Sequence, residues 1–205
     1  NTHQCFALLC LHQLEVLQKR GPLVRSITMT GMIDRLGDIY GVPVIDTSVG
    51  FKHLAPVMVL ENALAAGEES GGYAFRGHIP ERDGILSGLM ILEMMVKTGK
   101  TVSELLVELT SKLGHHYYDR RDLTFSPDNR GTINERLETA EPRDLGGMSV
   151  EAVDTRDGYR FSLKDGYWVL VRFSGTEPLL RIYAEAGSMK DVERLLDDGQ
   201  GLAGL

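Results

Sequence analysis

The run Arg172-Phe173-Ser174-Gly175-Thr176-Glu177-Pro178 gathers the residue types that grip phosphate. A guanidinium forks onto phosphate oxygens, hydroxyls donate to them, and a glycine lets backbone N–H groups approach closely. An apolar run from Trp168 to Val171 delivers the arginine into a tight turn, and Pro178 stops that turn. A second strand pattern, Leu179 to Ala186, follows and carries Arg181. The chemistry implied is the holding of a phosphorylated small molecule.

A second loop, Gly67-Glu68-Glu69-Ser70-Gly71-Gly72, exposes backbone at three glycines and places carboxylates beside a hydroxyl. Such a pair can exchange hydrogen bonds with vicinal sugar hydroxyls. In isolation it also reads as a solvated surface turn; beside the Arg172 loop the functional reading gains. In His78-Ile79-Pro80-Glu81-Arg82-Asp83-Gly84, Arg82 stands just before a predicted helix start, where the helix dipole favours an anion. Arg82 equally suits a surface arginine, and Asp83 a plain N-cap. Val49-Gly50-Phe51-Lys52-His53 forms a third strand-to-helix loop, and lysines near helix starts are common. The six histidines show no ligand spacing, and His115 and His116 are adjacent and so diverge. No Asp-rich magnesium loop is visible, and Met90, Met94 and Met95 read as core filling.

The elements that position these loops fall into two groups. The first 118 residues alternate helices with short strands, an α/β layered arrangement. Thr2 to Lys19 reads as one amphipathic helix, Leu23 to Met29 as a buried strand, and Gly31 to Tyr40 as a helix closed by Gly41. Val42 to Ile45 reads as a short strand that Pro43 assigns to an edge or a strand start. Periodicity makes Leu54 to Ala66 one helix, but a break near Asn62 would leave Ala63 to Ala66 as a strand entering the Gly67 loop. Asp83 caps a helix running to Thr98, with Gly99 after it. Thr101-Val102-Ser103-Glu104 is a capping box for the next helix, ending at Gly114.

After that point the pattern changes. Asp119 to Arg130 reads as a polar connector, and Asp128 to Ala140 as a helix. Strand patterns then crowd together at Ser149–Val153, Tyr159–Leu163, Trp168–Phe173 and Leu179–Ala186. Asp157-Gly158 and Asp165-Gly166 mark hairpin turns between them. Ser188 starts a final helix through Leu196. The second group, 119–205, is thus a small α+β domain with an antiparallel sheet and two helices, and the boundary falls near residue 119.

The chain has 205 residues, 42% hydrophobic and 25% charged, ordinary for a globular protein with real cores. A net charge of −7 argues against nucleic-acid or anionic-membrane partners, which need a broad basic surface. No apolar run is long enough to span a bilayer. Cys5 and Cys10 lie five apart on a predicted helix, badly placed for a disulfide, so a reducing, cytoplasmic setting is the default expectation.

The two loops, with Val49-Gly50-Phe51-Lys52 and Glu81-Arg82-Asp83-Gly84 in the same order, resemble the signature loops of the α-D-phosphohexomutases, the phosphoglucomutase/phosphomannomutase family. The resemblance covers essentially the whole chain. It implies the family's third, sugar-binding domain over 1–118, short of its first strand, and its fourth, phosphate-binding domain over 119–205. The catalytic serine and the Asp-rich magnesium loop of the family are not in this sequence. The implied partners are a phosphorylated hexose and N-terminal domains of the same protein; the implied cofactors are magnesium and a hexose 1,6-bisphosphate. Carried over by position, Glu68 and Ser70 would bind sugar hydroxyls, with Gly50 and Lys52 at the sugar or phosphate end of the cleft. Arg82 would be a basic residue near the reacting phosphate. Arg172, Ser174, Gly175 and Thr176 would hold the phosphate that is not transferred, supported by Arg181. Phosphoglucosamine and phosphoacetylglucosamine mutases share the fold, and a non-catalytic phosphosugar-binding module is a rival from another class.

Overall fold

Strand β1 (Leu23–Ser26) is buried at every position, as a central strand covered on both faces must be. In the computed structural model, which describes residues 1–175 and 177–205, β1 lies between β2 (Val44–Thr47) and β3 (Ala65–Gly67) and runs parallel to both. A short β4 (Tyr73–Phe75) pairs antiparallel on the far side of β3, giving the order β2-β1-β3-β4. Alternate residues serve opposite faces. Leu23, Ala65, Tyr73 and Phe75 pack with α1 (Thr2–Leu11), α2 (Met32–Tyr40), α4 (Gly84–Thr98) and α5 (Val102–Leu113). Val24, Ala66 and Ala74 pack instead against α3 (Phe51–Leu60). This is the α/β/α layering that the sequence predicts.

The helix signals hold at their ends. Asp83 caps α4 by accepting from the Leu86 N–H, and Gly99 closes it at φ 69°. Thr101 and Glu104 form the predicted capping box. Asn62, at φ 48°, turns the chain between α3 and β3, so the break placed there is real.

Asn1–Gly114 and His115–Leu205 are separate compact units, so the division falls at Gly114, earlier than residue 119. The reason is that the expected connector is largely a strand. β5 (Tyr117–Thr124) pairs antiparallel with β10 (Leu179–Ala186) along its whole length. The sheet of the second unit has six strands, all antiparallel, in the order β5-β10-β9-β8-β7-β6. The other strands are β6 (Asp144–Leu145), β7 (Met148–Asp154), β8 (Tyr159–Leu163) and β9 (Trp168–Phe173). Helices α6 (Arg130–Glu138) and α7 (Met189–Ala203) supply Ile133, Leu137, Val192, Leu195 and Leu196 to a core with Val169, Val171 and Ile182. The final helix thus extends past Leu196, to Ala203.

One expectation fails in its physics. Thr2 to Lys19 is not one amphipathic helix: α1 ends at Leu11 and a π-helical turn, His12–Val16, follows. All residues from Phe6 to Leu11 are buried, because α2, α4 and α5 pack around α1. A helix enclosed on all sides carries no polar face to read. No helix among the described residues is long and apolar enough to cross a membrane.

Candidate functional site

In an open α/β sheet, ligands meet the loops at the carboxyl ends of the parallel strands. β2 and β3 both deliver their following loops there, and the two loops touch. The Gly50 N–H donates to Glu68 Oε1 at 2.9 Å. Gly50 is the N-cap of α3 at φ 117°, a conformation in which a side chain would be strained, and that backbone aims its N–H at the carboxylate. The loop 68–72 closes on itself through Glu68 N–H to Gly72 O and Gly71 N–H to Glu68 O, both 3.0 Å.

Arg82 reaches the same carboxylate, with Nη1 4.0 Å from Glu68 Oε2. Its guanidinium carbon sits 5.4 Å from the centre of the Phe51 ring, and Nε donates to Glu81 Oε1 at 2.9 Å. Glu68 is only 6% exposed, and burial pushes its carboxyl above the ordinary carboxylate range. The Gly50 N–H and the Arg82 charge pull the other way. A carboxylate has about four acceptor positions, so one N–H and a distant guanidinium leave room for hydroxyls. The structure therefore brings Glu68, Gly50 and Arg82 together. Lys52 and Ser70 are both exposed and make no hydrogen bond or ion pair within the described residues.

In the second unit Arg172 lies near the end of β9, and its Nε donates to Asp157 Oδ1 at 2.8 Å. Asp157 sits in the β7–β8 turn beside Gly158 at φ 100°. A Cβ on Gly158 would lie 2.7 Å from Val171 O and 2.9 Å from Arg172 Cβ. The turn can approach Arg172 this closely only because it is glycine. Arg181 on β10 is the direct cross-strand partner of Arg172. Two like charges facing each other across a ladder repel, and flanking acids offset them. Arg181 lies 3.8 Å from Asp122 and 3.5 Å from Glu177, while Asp157 holds Arg172.

Ser174 is buried, and its N–H donates to Leu179 O at 2.8 Å, closing the loop between β9 and β10. Gly175 differs from Gly158: its φ is ordinary and a Cβ there would meet nothing within 4 Å. Neither strain nor packing within the chain requires a glycine at 175. Thr176 lies outside the described residues. Sequence reasoning missed Asp157 and Phe51 as neighbours of the two arginines. Asp157-Gly158 announces a hairpin turn, and nothing local reveals an arginine fifteen residues away.

Residues 1–113 match the phosphoglucomutase/phosphomannomutase alpha/beta/alpha domain III, and residues 133–199 match the C-terminal domain of the same family. The chain belongs to the phosphoglucomutase/phosphomannomutase family. A phosphoglucomutase/phosphomannomutase of Thermococcus kodakarensis is 33% identical over 179 residues, 87% of this chain and 37% of the relative. A phosphoglucosamine mutase of Methanococcus maripaludis is also 33% identical, over 186 residues, 90% of this chain and 40% of the relative. A crystal structure of a Thermus thermophilus protein aligns with 99% of this chain and 40% of its own, at a TM-score of 0.79 and 34% identity. The chain spans about two fifths of the length of these relatives. Its family match places the Glu68 loop in domain III and the Arg172 loop in the C-terminal domain. Among the described residues no three His, Cys, Asp or Glu side chains converge to hold a metal ion, so these residues do not make a magnesium site.

Proposed function

We propose that this chain supplies the sugar-binding and phosphate-binding halves of a hexose-phosphate mutase. The full protein would interconvert hexose 1-phosphate and hexose 6-phosphate through a phosphoserine and a hexose 1,6-bisphosphate. The serine and the magnesium would come from other parts of that protein. In this reading the serine phosphate passes to one hydroxyl, the bisphosphate turns around, and the serine takes back the other phosphate. A site that holds the sugar in two opposed orientations needs a hydroxyl acceptor indifferent to which end is presented, and one lasting phosphate clamp. Glu68 fills the first role and Arg172, with Ser174, Gly175, Thr176 and Arg181, the second. Phosphoryl transfer depends on positioning and charge neutralisation more than on covalent help from the protein.

The observation that carries this reading is the buried Glu68 carboxylate, held by the Gly50 N–H with Arg82 beside it. Burying a carboxylate is costly unless it has work to do. Calorimetric titration of the chain with glucose 1-phosphate tests it. Arg172→Ala should abolish binding, since one charge-assisted contact contributes about 1.5–3 kcal/mol. Unchanged affinity in that variant contradicts the clamp.

A second reading, phosphoglucosamine mutase, is favoured by one fact: a relative of that name is as similar to this chain as the phosphoglucomutase/phosphomannomutase is. Competition between glucose 1-phosphate and glucosamine 1-phosphate for the same chain decides between them. Tighter binding of the amino sugar selects the second.

A further inference from the structure

Arg130 is the first residue of α6, exposed, and without a hydrogen bond or ion pair among the described residues. It is nonetheless placed: its guanidinium carbon stands 4.4 Å from the centre of the Phe173 ring. A cation over an aromatic face is held by the ring quadrupole, at about 0.5–1 kcal/mol for an exposed pair. Phe173 is the residue directly after Arg172.

The two arginines line one groove of about 320 Å³ at the end of the sheet. Arg130 and Asn134 of α6 form one wall, and Asp157, Tyr159, Arg172 and Phe173 contribute to the rest. Asp157 is already engaged by Arg172 Nε. The Tyr159 hydroxyl donates to Asn134 Oδ1 at 3.2 Å, which leaves the Asn134 amide N–H groups as donors. The groove therefore presents two guanidinium groups and an amide, against one carboxylate that is already paired.

This crowding of positive charge has no internal compensation at Arg130. Arg172 has Asp157, and Arg181 has Asp122 and Glu177, but among the described residues no acid pairs with Arg130. A third cation fixed in that neighbourhood costs free energy unless an anion enters. We infer that Arg130 is a second guanidinium of the phosphate site, gripping a sugar phosphate across the groove from Arg172. Two forks meeting one dianion supply more donors than one, and neutralise both of its charges. The inference rests on the reading of Arg172 as the phosphate clamp.

The test is titration of the whole 205-residue chain with glucose 1-phosphate and, separately, with inorganic phosphate. Arg130→Gln should weaken both ligands about tenfold while leaving the thermal midpoint unchanged, because the residue is exposed. Arg172→Ala, run in parallel, should abolish binding of both. If Arg172→Ala binds normally, or the unaltered chain binds neither ligand, the phosphate-clamp reading falls and this inference with it. If Arg172→Ala abolishes binding while Arg130→Gln stays within twofold of the unaltered chain, Arg130 alone is overturned. A tenfold loss in an Arg130→Gln chain that still melts at the normal temperature supports it.

Discussion

Glu68 and Arg172 stand at the ends of two sheets, yet the chain treats them in opposite ways. Glu68 is buried, sits against a strained glycine and is held in a charged form that its surroundings disfavour. Arg172 is paired in the ordinary way with Asp157, and the loop after it is open, with space around Gly175. The first site is built from the inside and is preformed. The second is a clamp whose arm is fixed and whose cradle faces outward. A neutral hydroxyl offers little binding energy, so its acceptor has to be waiting in place. A phosphate brings strong charge and can organise a more open loop.

The glycines sharpen this contrast most. Gly158→Ala should cost about 3 kcal/mol, from a positive φ and contacts with Val171 O and Arg172 Cβ. Differential scanning calorimetry should then show the second unit melting roughly 10–20 °C lower. An unshifted transition would mean that the turn does not hold Arg172 as described. Gly175→Ala should change stability by less than about 0.5 kcal/mol while weakening inorganic phosphate, because the space it fills is open to the ligand alone. Phosphate affinity unchanged in that variant would remove the glycine from the cradle.

Glu68→Gln probes the other side of the comparison and predicts opposite signs for stability and binding. The folded carboxyl titrates above the value near 4.5 that it has when free. Between those two pH values the native state keeps a proton that the unfolded chain has released, so stability falls as pH rises through that window. The amide cannot ionise and removes that fall. At pH 7 the variant should melt about 2–4 °C higher, for about 1 kcal/mol, and still fail to bind glucose 1-phosphate. A lower melting point, or retained sugar binding, breaks the account of Glu68. Such a trade of stability for function is expected where a charged group is buried for its chemistry.

Much of this was legible in residues. The capping acids and hydroxyls, the Gly41 and Gly99 stops, the hairpin turns and the two glycine-bearing loops each follow from local rules, and the structure bears out the elements they delimit. β5 escaped because it is charged on both faces: Arg120 pairs with Asp122, and Arg121 reaches Asp197 on α7. It is an edge strand, and such charges discourage further pairing at the cost of any apolar alternation. α1 escaped for the opposite reason, being enclosed on every side. At the site, the contacts from Gly50 to Glu68, from Asp157 to Arg172 and from Arg130 to Phe173 join residues 18, 15 and 43 positions apart. Only tertiary packing brings such pairs together.

The central claim is that two loops in separate units divide one ligand, hydroxyls to Glu68 and phosphate to Arg172. Two-dimensional NMR of the labelled chain during titration reads this directly. Inorganic phosphate should shift the backbone signals of Arg172, Ser174 and Gly175 and leave Gly50 and Glu68 unmoved, whereas glucose 1-phosphate should shift both groups. Shifts at Gly50 and Glu68 with phosphate alone, or none at Gly175 with either ligand, would contradict it.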